Sequence, residues 1–178
     1  EQYFVTRARK SLDWHLWLLV DVSGSMSASV VYSAMMAAIL GGLPALTVHF
    51  AAFSTQVVDL SDSAADPLAL LLEIEIGGGT HIAKALRYAA ARMTQPQRTL
   101  LLVVSDFAEG GAPGRMLGEV RALVEAGVTC LGLGALDDRG QPHLHQALAA
   151  QVAAAGMPVA ALAPLQLAQW VAERIGSA

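Results

Sequence analysis

Apolar runs with β-branched or aromatic residues alternate along this chain with Ala- and Leu-rich segments of helical period, and that alternation limits the fold more than any other feature. It marks repeated strand–helix units built around a parallel sheet. Strands are expected at residues 15–20, 46–53, 56–60, 99–105, 128–133 and 158–161, and helices at 27–40, 66–73, from residue 80 to about 93, 116–126, 145–155 and 164–175. Only Ser54 and Thr55 separate the second strand from the third, which is hairpin spacing and places one antiparallel strand in the sheet. The expected fold is therefore α/β: a Rossmann-like, doubly wound, mostly parallel sheet with one antiparallel strand and helices on both faces.

Composition agrees. Hydrophobic residues make up 54% of the chain and charged ones 15%, a balance suited to a sheet covered on both sides and unlike that of a disordered chain. With 178 residues, one domain with a substantial core is expected. Residues 1–13 read as a linker or the remnant of an upstream domain, and 14–178 as the domain itself. The net charge is −4, and the 11 Lys and Arg form no run beyond residues 7–10, so nucleic acid is not an expected partner. No uninterrupted apolar stretch reaches the roughly 20 residues of a membrane helix, so no membrane association is expected of the visible chain. Cys130 stands alone in an apolar run and reads as a small buried hydrophobe.

Ligands of open α/β sheets bind at the carboxyl ends of the parallel strands. Three polar groups fall there. Asp21-x-Ser23-x-Ser25 follows the first strand, Thr80 closes the loop Gly77-Gly78-Gly79, and Asp106 follows the strand at 99–105. All five are oxygen donors, and two carboxylates with three hydroxyls suit a hard divalent cation whose remaining positions go to water or to an outside oxygen. Mg²⁺, Mn²⁺ and Ca²⁺ all accept such oxygens. The alternate spacing turns residues 21, 23 and 25 toward one point in an extended or looped backbone, and Gly24 permits the close turn.

At these residues the chain resembles the von Willebrand factor A (VWA) domain, whose metal-ion-dependent adhesion site is written Asp-x-Ser-x-Ser, then Thr, then Asp. The matching residues are Asp21, Ser23, Ser25, Thr80 and Asp106, and the order of elements fits from about residue 16 to 175. The resemblance implies that Ser23, Ser25 and either Thr80 or Asp106 touch the metal, the others acting through water. It also implies a non-enzymatic, metal-dependent protein-binding module whose partner supplies an Asp or Glu. In the family, exchange between ligand arrangements is coupled to a shift of the last helix, here 164–175. A narrower similarity, to cytoplasmic bacterial members working beside hexameric AAA+ ATPases of the MoxR type, implies a role in assembling metalloenzymes. Two departures stand out: Phe107 follows Asp106 where many members have Gly, implying a more apolar rim and a stiffer loop, and His81 follows Thr80.

Plainer readings compete. Asp21-x-Ser-x-Ser could be only a helix cap, but capping leaves Thr80 and Asp106 unexplained. A phosphatase-like hydrolase using Asp21 and Asp106 is the rival function. Such phosphotransferases need a second acid where Ser23 stands and a Lys near Asp106, and neither is present. His143-x-His145 lacks further zinc ligands nearby. Gly132-x-Gly134 lacks the third glycine of a dinucleotide site, and there is no Gly-Lys-Ser. Met26, Met35, Met36, Trp14 and Trp17 read as packing residues.

Overall fold

The computed structural model describes residues 13–43, 46–63, 66–74, 77–137 and 139–176, so the linker expected at 1–13 lies almost wholly outside the described residues. In chain order the elements are β1 (Trp14–Asp21), a 3-10 turn (Gly24–Ser29), α1 (Val30–Gly41), β2 (Leu46–Phe53), β3 (Val57–Asp59), α2 (Pro67–Glu73) and α3 (Ile82–Ala90). Then come β4 (Thr99–Ser105), α4 (Pro113–Glu125), β5 (Thr129–Leu136), β6 (Pro142–His143), α5 (Gln146–Ala154), β7 (Val159–Ala160) and α6 (Pro164–Gly176).

The strands form one seven-stranded sheet in the order β3-β2-β1-β4-β5-β6, with β7 also pairing β5. β2, β1, β4, β5 and β7 run parallel, and β3 turns back on β2 as the hairpin spacing predicts. The two-residue β6 is a second antiparallel piece, paired with the end of β5. It is too short for a periodic pattern, and it contains Pro142, which cannot donate to a ladder.

β1 lies at the centre and shows why so apolar a chain needs two layers of helices. Its residues Leu16, Leu18 and Val20 point into one core with Met36, Leu40, Leu167 and Val171 from α1 and α6. Trp17 and Leu19 point into the other with Ile82, Leu86, Met116, Val120 and Val152 from α3, α4 and α5. Period-2 alternation on a strand buried on both faces feeds both cores at once. Truncating a side chain such as Leu18 to Ala would cost roughly 2–5 kcal/mol.

Local signals also match. The Asp66 carboxylate accepts from the Ala69 amide at 3.1 Å, with Pro67 at the start of α2. Trp14, Trp17, Met26 and Met36 are buried, whereas Met35 is half exposed. Cys130 is buried, and burial pushes its thiol up to about 12. The stretch Gly24–Gly41 is long and apolar enough to cross a membrane by composition, yet Tyr32, Ala34, Met36, Ala37 and Leu40 within it pack into the first core.

Candidate metal centre

The carboxyl ends of β1 and β4 lie side by side; β1 ends in Asp21, the segments leaving β1 and β4 carry Ser23, Ser25 and Asp106, and the loop before α3 carries Thr80. Asp21 is the last residue of β1. Its Oδ1 accepts from the Ser23 amide at 2.9 Å, which folds the following loop back over the strand end, and the Ser23 and Ser25 hydroxyls then stand 3.4 Å apart. Its Oδ2 accepts from the Ser105 hydroxyl at 2.5 Å. Ser105 in turn accepts from the Phe107 amide at 3.0 Å, and Asp106 Oδ1 accepts from the Ala108 amide at 3.1 Å.

Backbone bonds lace the loops together. The Gly77 amide donates to Val22 O at 3.1 Å, and the Gly110 amide to Thr80 O at 2.7 Å. The His81 amide donates to Ser54 O and the His145 amide to Asp106 O. Gly78 has φ +79, a left-handed conformation that glycine takes at little cost. Gly110 has a steric reason: a side chain there would meet Thr80 O at 2.9 Å. Glu109 clamps the assembly from outside, its two oxygens accepting from the Ala83 amide at the start of α3 and the Gly111 amide of its own loop, at 3.0 and 2.8 Å.

Burial defines the electrostatics. Asp21 and Asp106 are each about 2% exposed, Ser23 and Thr80 are also buried, and only Ser25 of the five is exposed. Burial pushes the Asp21 carboxyl above the ordinary carboxylate range, with the nearby Asp106 charge adding to it and the bonds from Ser105 and Ser23 opposing. Among the described residues no cationic side chain is bonded to either acid, and the ion pair Arg87–Glu119 lies elsewhere. Two buried carboxylates without a counter-charge, beside three hydroxyls, make a donor set that fits a hard divalent cation. It contains no His or Cys.

Asp21 thus closes β1, Ser23 and Ser25 follow it, Asp106 follows β4, and Thr80 precedes α3 on a loop whose backbone bonds to the segments after both strands. Three contributors escape sequence reasoning. Ser105 looks like the last residue of a buried strand, and Glu109 like one more polar loop residue. Phe107 does not lie on the rim as expected. Its backbone takes φ +58, the only positive φ outside glycine among the described residues, and its ring turns inward to full burial in the second core. His145 forms the N-cap of α5, its Nδ1 accepting from the Leu148 amide at 3.3 Å, and His81 holds the N-cap position of α3 without a side-chain cap bond.

Known proteins place the chain. The family model described as VWA domain-containing CoxE-like protein matches residues 1–171. The protein YehP of Escherichia coli strain K12 is 43% identical over 169 residues, a match that covers 95% of this chain but only 45% of that protein. Among solved structures, an aerotolerance-related membrane protein from Bacteroides fragilis superimposes with a TM-score of 0.72 at 15% identity, over 93% of this chain and 100% of that one. A von Willebrand factor type A structure from Catenulispora acidiphila gives 0.64 at 18% identity, over 92% and 42%. At these identities the structures speak for the α/β fold alone.

Proposed function

This chain belongs to the family of VWA domain-containing CoxE-like proteins, and from that premise we propose that it binds a partner protein through a divalent cation, Mg²⁺ or else Mn²⁺ or Ca²⁺, held by Asp21, Ser23, Ser25, Thr80 and Asp106. A VWA domain is generally a protein-interaction module. The observation that carries the metal reading is the pair Asp21 and Asp106, both buried and neither bonded to a cationic side chain among the described residues. A buried acid without compensation costs several kcal/mol, roughly, and a divalent ion at this point would supply two positive charges.

Asp21 already has one hydrogen bond on each oxygen, which supports its acting on the ion through water. The exposed rim beside it consists of small residues, Gly24, Ser25, Gly78, Gly79, Ala108 and Gly110. Such a rim lets a partner's Asp or Glu reach an open coordination position. The arrangement favours binding over hydrolysis, because the position a phosphotransferase fills with its second acid holds Ser23, whose amide is committed to Asp21.

The partner in this proposal is a AAA+ ATPase of the MoxR type, in the cytoplasm, with the module serving as its adaptor in metalloenzyme or complex assembly. The chain spans about half the length of YehP. Titration of Mg²⁺ into the wild type and Asp21→Ala tests the metal step: an ion that binds only the folded state raises thermal stability by mass action. Stabilisation of the wild type alone is expected, and equal or absent stabilisation of both sinks the proposal. Capture of the purified ATPase that is lost in EDTA tests the second step, and metal-independent capture overturns it.

A further inference from the structure

Phe107 combines two features that belong together. It has φ +58, a conformation non-glycine residues avoid because Cβ crowds the neighbouring carbonyl. It is also completely buried, with its ring lying over Gly132 of β5: a methyl group on Gly132 would stand 2.6 Å from Phe107 Cζ, 3.0 Å from Val159 Cγ2 and 3.3 Å from Phe107 Cε2. Gly132 thus makes the notch, and Phe107 fills it. An unfavourable backbone conformation persists only where its surroundings overdetermine it, and here the filled notch does so.

We infer that Phe107, seated over Gly132, is a positioning residue for the cation site, holding Asp106 at the end of β4 in the orientation the ion requires. The inference rests on the metal-binding reading above. Asp106 is held on both sides. Its carbonyl accepts from the His145 amide at 2.7 Å, and its successor's amide donates to Ser105 at 3.0 Å, the hydroxyl that donates to Asp21. The Phe107 ring anchors this short segment to β5, which is itself paired with β7 through Gly132 and Val159. A glycine at residue 107 would take the same turn without strain, but it would leave the notch empty and the Asp106 loop without its anchor.

The test is Mn²⁺ binding to the chain, followed by titration and by the electron paramagnetic resonance line shape of the bound ion. The set is the wild type, Gly132→Ala, Phe107→Leu and the double variant, with urea denaturation in EDTA measured in parallel. Gly132→Ala drives a methyl into the ring and is expected to weaken Mn²⁺ by about tenfold, a coupling ordinary for contacting residues, and to change the line shape. The double variant, whose shorter side chain ends before Cζ, should recover most of the affinity and the spectrum, the Val159 Cγ2 contact at 3.0 Å being all that the added methyl still meets closely. If Gly132→Ala fails to fold, Phe107→Leu alone is expected to alter the spectrum. Variants that lose stability but keep the wild-type Mn²⁺ constant and line shape overturn the positioning role while leaving the metal reading intact. A wild type that binds no Mn²⁺ overturns both.

Discussion

The Ser105 hydroxyl donates to Asp21 Oδ2 at 2.5 Å, joining the ends of two strands whose residues are 84 positions apart in sequence. This bond fixes one face of the candidate metal centre before any ion arrives. Ser105→Ala removes it and also leaves the buried Phe107 amide without its acceptor. A loss of about 2 kcal/mol in urea unfolding is expected, since a buried donor left unpaired costs its full desolvation. Mg²⁺ should bind the variant more weakly; unchanged stability and affinity would remove Ser105 from the site.

Glu109 joins the Thr80 and Asp106 loops by accepting from two backbone amides. Half-buried, it also offers a negative charge to the first turn of α3. Glu109→Ala is expected to cost about 1 kcal/mol, and Glu109→Gln, which keeps one acceptor oxygen, about half as much. Equal losses in both variants would show that the charge, and not the acceptor geometry, carries the effect.

His49 sits flat against Trp17, ring centroids 4.6 Å apart, with a His15 ring nitrogen 3.3 Å from its own. Burial lowers its pKa from 6.5, the His15 charge adds to that, and Asp59 opposes. The unfolded chain therefore takes up this proton first as the pH falls. The stability His49 contributes is complete above 6.5 and drains away below it. Melting temperatures measured between about pH 5 and pH 8 should fall on acidification, and His49→Gln should flatten that slope; a wild type no steeper than the variant contradicts this account.

Ser33 is buried in α1, and its hydroxyl has no partner among the described residues. Ser33→Ala removes that unpaired group and substitutes a better helix former. It should stabilise the fold by about 0.5–1.5 kcal/mol, read as a higher urea midpoint. Destabilisation would contradict this account.

What could be read in the sequence follows physical range. β4 at Thr99–Ser105 and β2 at Leu46–Phe53 carry strong local signals, and their bounds match expectation. The places of the five motif residues in the fold are legible because each stands at a strand end or a glycine loop, which is local information. Ser105 is not legible: its side chain acts through the β1–β4 register, where Val20 lies opposite Val104. Phe107 misleads for the same reason. An aromatic residue after a strand suggests an exposed rim, and only the hole over Gly132, from a different strand, turns it inward. The residues from 24 to 29 wind as a 3-10 turn before α1 begins, so the helix expected from residue 27 starts at Val30.

The lacing of the loops at residues 21–25, 80 and 106 has a kinetic meaning. No hairpin or single strand–helix unit can bring those residues together, because their segments adjoin only once β1 and β4 are paired in register and the glycine loop has closed. Contacts this distant in sequence carry a large loop-closure cost. An ion that needs all of them cannot speed the search for the fold. If the site binds such an ion, its expected signature is slower unfolding at an unchanged refolding rate.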